Sequence, residues 1–185
     1  MTFACALCGC AGGNIGTPLQ GGGEWKVEQR ADRVADQPIQ SAVLVTKSRN
    51  VKATRDSTAP QNASLQLLCF DGDPVVRFFF TSEVGSDRNS RLTYKFDNKP
   101  AAKPNARILQ DFQTVMVEEK KDVAIFTNDL RDAKKLDITV SGLVSGNTIA
   151  EFNVEGAAAA IEASYKNCPL PAPPAPRPGG RGKKG

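Results

Sequence analysis

With 185 residues and 40% hydrophobic content, the chain has the material for one domain with a sizeable core. It contains no histidine, which removes the commonest general base, the usual triad member and the commonest neutral metal ligand, and leaves carboxylate or lysine chemistry as the enzymatic routes. Lys plus Arg exceed Asp plus Glu by 24 to 20, but Arg177, Arg181, Lys183 and Lys184 fall in the last nine residues; the rest is formally neutral and lacks the basic field that holds nucleic acid.

The first 23 residues open with "MTFACALCGCAGG". Cys5, Cys8 and Cys10 could be read as a metal site, which would need Cys69 or Cys168 as a fourth ligand. The cluster is apolar, however, unlike the turn-rich setting of zinc knuckles. Leu7-Cys8-Gly9-Cys10 resembles a bacterial lipobox, with an aliphatic residue three before and a small residue one before the cysteine that becomes lipidated. Cys10 is then the anchor, and the glycines at 12, 13, 16 and 21–23 form a flexible tether. Only nine residues, none charged, precede Cys10, shorter than a secretory signal of about 15 to 30 residues. The expectation is therefore that Met1 is not the biological start. The bland alternative is an apolar, unstructured end.

From Glu24 to about Cys168 the period is mostly two, which predicts strands. "EWKVEQ" and "SAVLVTK" come first. In "SLQLLCF", Leu65, Leu67 and Cys69 share one face. "FDGDP" reads as a turn, each residue having a turn-forming reason to be there. "PVVRFFFT" is apolar on both faces around Arg77 and predicts a central strand. Arg77 must be paired with an acid or lie at a partly open face as a recognition point for an anionic group. "RLTYKFD" alternates Leu92, Tyr94 and Phe96 against polar residues. Strands are predicted at "QTVMVEE" and "DVAIF", then a short helix over "TNDLRDAKK" capped by Thr127 or Asn128. "LDITVSG" and "TIAEFNV" form a hairpin through Ser145 to Asn147. The closing "GAAAAIEASYKNC" places Ala157, Ala160, Ile161, Ser164 and Cys168 on one helical face.

These segments predict about nine strands and two helices. The fold class is mainly β, an antiparallel two-layer sandwich-like domain with a C-terminal helix docked on it. Cys69 and Cys168, 99 positions apart, both face the core and are expected to form one disulfide, given the oxidising compartment a lipobox implies. Two buried reduced thiols are the alternative. Residues 169–185, "PLPAPPAPRPGGRGKKG", predict an extended basic tail that does not pack.

The order of "EWKVEQRADRVADQP", "LQLLC", "RLTYKFD", "FTNDLRDAKKLDITV", "AEFNVEG" and a final cysteine resembles the TagO-like exported accessory proteins associated with type VI secretion, over about Trp25 to Cys168. The resemblance implies an envelope protein with a disulfide-linked β-rich domain and no established enzymatic activity. The Pro-rich basic tail departs from that pattern.

The functional expectation is a non-enzymatic accessory or scaffold protein of the bacterial periplasm. It is tethered by Cys10 to a membrane and binds protein partners or peptidoglycan, with no cofactor, no metal and no specific nucleic acid. The alternative is a carboxylate-dependent envelope enzyme drawing on Asp71, Asp73, Asp97, Asp111, Glu118 or Glu119, which form no recognisable catalytic constellation. Calcium would require more oxygen ligands in register than "FDGDP" supplies.

Overall fold

The computed structural model describes residues 17–18, 24–30, 39–51, 61–85, 90–142 and 146–172. Cys5, Cys8 and Cys10 lie outside them, as do residues 173–185. The described chain forms a ten-stranded antiparallel sheet and two helices.

The strands are β1 (Thr17–Pro18), β2 (Lys26–Arg30), β3 (Ile39–Asn50), β4 (Gln61–Phe70), β5 (Asp73–Phe80), β6 (Arg91–Phe96), β7 (Arg107–Ile108), β8 (Thr114–Val117), β9 (Lys135–Gly142) and β10 (Gly146–Asn153). The helices are α1 (Lys120–Leu130) and α2 (Ala157–Tyr165). Part of the expected glycine-rich tether is thus paired: Thr17 and Pro18 lie opposite Val27 and Lys26.

Strand β3 organises the sheet. One of its edges pairs with β4 over Ser41–Ser48, while the other meets β2 over Ile39–Val43 and β10 over Ser48–Asn50. Two strands therefore diverge from one edge of β3, and the sheet curls into two limbs, β4-β5-β8-β7 and β10-β9-β6. Thr46 spans the fork, its hydroxyl donating to the Glu151 carbonyl at 2.7 Å.

The period-two pattern sets which face is dry. Leu65, Leu67, Val76, Phe78 and Phe80 from one limb, and Leu92, Tyr94, Phe96, Leu136, Ile138, Val140, Ala150 and Phe152 from the other, are buried in a single core. Burying these side chains is the main stabilising term, since each large one contributes about 1.5–3 kcal/mol.

Helix α1 corrects the predicted "DVAIF" strand and the helix expected after it: Lys120–Leu130 is one continuous helix. Val123, Ala124, Phe126, Thr127 and Leu130 follow helical spacing and are buried. Thr127, expected as a cap, sits inside the helix and donates its hydroxyl back to the Val123 carbonyl at 2.8 Å. Phe126 fills the space between the limbs, its ring centroid 5.9 Å from Phe78, 5.0 Å from Tyr94 and 5.1 Å from Phe96. The edge-on contacts with Phe78 and Tyr94 suit the quadrupoles of the rings.

Helix α2 lies along β2, β3 and β4. All five residues predicted on its inner face are buried, together with Tyr165. Leu170, in the tail expected not to pack, sits half-buried against the core.

Candidate functional site

The place where the fold gathers distant chemistry is the end of α2, where it meets the β4–β5 hairpin. Phe70-Asp71-Gly72-Asp73 reverses the chain with φ of 51° at Asp71 and 78° at Gly72. Two successive positive φ values are those of a type I′ turn, and Asp-Gly is a favoured pair there. "FDGDP" is therefore the turn the sequence predicted. Pro74 pairs with Cys69 and lies beyond the Val76–Phe79 segment that pairs with β8, so its missing N–H costs no ladder bond.

This hairpin places Cys69 at the end of the inward-facing row begun by Leu65 and Leu67. On the other side, α2 is held by three polar contacts. The Ala42 amide donates to Ser164 Oγ at 2.9 Å. The Tyr165 hydroxyl donates to the Val75 carbonyl at 2.8 Å. The Trp25 indole donates to the Val154 carbonyl, just before the helix, at 3.4 Å. After Tyr165 the chain turns, with the Cys168 amide donating to the Tyr165 carbonyl at 3.1 Å, and the Cys168 side chain is fully buried.

The two thiols meet. Their sulfurs lie 2.5 Å apart, closer than two unbonded sulfur atoms approach. No covalent bond joins the two cysteines in this structure, and the sulfurs sit where the expected disulfide would close. The pairing of positions is the one the sequence predicted.

The environment of the pair is asymmetric. Cys69 is half-buried and Cys168 has no exposed surface. Burial, the Cys69 sulfur and the Asp73 carboxylate push the Cys168 thiol up to about 12, with the Lys120 ammonium only partly opposing them. Lys120, the first residue of α1, bridges Asp73 at 2.7 Å. This contact raises the ammonium pKa through its hydrogen bond and charge. Burial likewise pushes the Tyr165 phenol up, the two sulfurs adding to the effect. Lys120 and Tyr165 were not singled out from the sequence. Tyr165 follows Ile161 by four and carries a legible signal; Lys120 reaches the pair only because α1 is a helix.

Arg77 stands on the outer sheet face, in a row with Val43, Gln66, Met116 and Arg107. It is half-buried, and its charge helps hold the Asp111 carboxyl low. Burial pushes Asp111 up, but hydrogen bonds from the Thr114 hydroxyl and the Gln113 and Thr114 amides prevail.

The carboxylates considered for catalysis are dispersed. Asp97, at a φ of 42°, accepts from the Lys134 and Lys135 amides. Glu118 binds Arg107 at 2.8 Å and Glu119 accepts from Asn105 at 3.2 Å, both in a shallow cleft of about 350 Å³ that Ala106 completes. Among the described residues no three His, Cys, Asp or Glu side chains converge as a metal site, and no helix is long and apolar enough to cross a membrane.

No protein-family model, curated protein or solved structure matches the chain. The site is therefore read from its own geometry.

Proposed function

We propose that this chain is a non-enzymatic accessory or scaffold protein of the bacterial cell envelope. It is exported to the periplasm, tethered to a membrane through lipidated Cys10, and binds protein partners or peptidoglycan with its folded body. The TagO-like proteins of type VI secretion are the family whose pattern it resembles. The observation that carries the reading is the meeting of Cys69 and Cys168, brought side by side from positions 99 residues apart. In an oxidising compartment such a pair closes to a disulfide. Closing a loop of about 100 residues stabilises a fold by about 4–5 kcal/mol in the chain-entropy model.

The engagement of each carboxylate by another part of the fold favours this reading over a carboxylate-dependent enzyme. Asp73, Asp97, Asp111, Glu118 and Glu119 each hold a lysine, a backbone turn, an arginine or an amide. Two carboxylates flanking a shared substrate position are what such chemistry requires.

The test is intact-mass analysis of protein recovered from membranes of a bacterial host expressing the gene from its native locus. The expected result is a lipid adduct at Cys10 and the loss of two hydrogens between Cys69 and Cys168. Protein in the soluble cytosolic fraction, with unmodified Cys10 and both thiols free, refutes the proposal.

A further inference from the structure

We propose that Cys69 is the entry thiol of a disulfide-exchange site and Cys168 its resolving partner, so that the end of α2 is fastened and released through one accessible sulfur. This inference rests on the reading that the pair oxidises, and goes beyond it by assigning the order of events. Three observations carry it. The sulfurs are neighbours, so a mixed disulfide on one is within reach of the other. Cys69 is half-buried at the mouth of a hairpin, whereas Cys168 is shut off from solvent. Cys168 follows Tyr165 by one turn, and Tyr165 is bonded to Val75, so the resolving thiol is held by the fold. Thiol–disulfide exchange requires an attacking sulfur that the incoming disulfide can approach in line, a condition that Cys69 meets and buried Cys168 does not.

The chemistry balances with a dialkyl disulfide as oxidant. The Cys69 thiol loses its proton to solvent and attacks one sulfur of the incoming disulfide. A Cys69–S–S–R bond forms, the external S–S bond breaks and one thiolate leaves. Cys168 then releases its proton, attacks Cys69 Sγ and expels the second thiolate. Two protein thiols give up two electrons and two protons, and one external disulfide becomes two thiols. Reduction follows the reverse course, the external thiolate landing on Cys69. In the closed form α2 is bonded to the β4–β5 hairpin immediately before the Pro-rich segment begins. In the open form the helix is held by its buried inner face and by the Tyr165, Ser164 and Trp25 contacts, with no covalent link.

The experiment uses the full chain, with Cys5, Cys8 and Cys10 changed to serine so that only two thiols report. Reduced protein is mixed with excess glutathione disulfide and followed by quenched intact-mass spectrometry. The parent is expected to lose two hydrogens and retain no adduct. Cys168→Ser and Cys168→Ala are expected to keep one glutathionyl group at Cys69, formed at the rate at which the parent oxidises. Cys69→Ser is expected to react at least about tenfold more slowly, the factor imposed by a single pH unit of thiolate deficit. Trp25 fluorescence, which reports on the contact ahead of α2, confirms that each variant retains the docked helix. A Cys69→Ser variant modified at Cys168 as fast as Cys168→Ser is at Cys69 overturns the assignment. A stable glutathionyl adduct on the parent does the same. These rates belong to purified protein, so failed export leaves them unchanged and sinks only the envelope proposal.

Discussion

Replacing Phe126 with alanine tests the architecture most directly, because that ring alone touches aromatic side chains of both limbs. Phe126 is fully buried, and removing a buried Phe costs about 3–5 kcal/mol in lost transfer energy and cavity. Its ring contacts with Phe78, Tyr94 and Phe96 each add about 0.5–1.5 kcal/mol beyond area, which places the expected loss near the top of that range, about 4–5 kcal/mol. For a domain whose total stability is of order 5–15 kcal/mol, this is about a quarter or more. At about 2–4 °C per kcal/mol for a chain of this size, the melting temperature falls by roughly 10–20 °C. Phe126→Leu keeps most of the volume and is expected to lose about 1.5 kcal/mol or less. Urea unfolding of reduced protein, followed by circular dichroism, measures both. A Phe126→Ala loss below about 1.5 kcal/mol, or equal losses for the two variants, would refute the placement of α1 between the limbs.

Tyr165→Phe removes the hydroxyl that donates to the Val75 carbonyl, which keeps its place opposite Leu68 in the ladder; the expected loss is that of one net hydrogen bond, about 0.5–1.5 kcal/mol in the urea midpoint assay. Gly72→Ala meets no neighbouring atom within 4 Å but must hold a φ of 78°. Its cost is backbone strain of about 1–2 kcal/mol, visible as a lower melting temperature with unchanged circular dichroism. The pH dependence of the reduced protein follows from Cys168. Its thiol is pushed up to about 12 when folded, whereas an unfolded cysteine titrates near 8.5. Between those values the unfolded chain holds fewer protons, so stability is full below about pH 8.5 and falls as pH rises, by at most about 1.4 kcal/mol per unit. The oxidised protein has no such proton. Urea titrations of both forms from pH 8 to 10.5 should therefore diverge, and parallel curves would contradict the burial of Cys168.

Much of the fold is legible from alternation alone. Leu92, Tyr94 and Phe96, and Leu136, Ile138 and Val140, announce their buried faces because a strand's side chains must alternate between water and core. Asp71-Gly72 announces its turn because few residues tolerate two successive positive φ values. The inner face of α2, including Ser164 and Cys168, is readable from helical spacing. "DVAIF" is where local pattern misleads: five mostly apolar residues carry no decisive period, and only the gap between two limbs makes Lys120–Leu130 a helix with Phe126 inward.

The sequence by itself determined which residues are dry, where the chain turns, and that Cys69 and Cys168 both face inward, because these follow from periods of two and 3.6 and from backbone sterics. Only the tertiary structure decided that β3 forks the sheet, that Phe126 of α1 fills the space between the limbs, and that Lys120, Asp73 and Tyr165 surround the thiol pair. Most of those relations join residues some 30 to 105 positions apart. Contacts at that range are chosen by how the limbs close over a shared core, which no local pattern encodes.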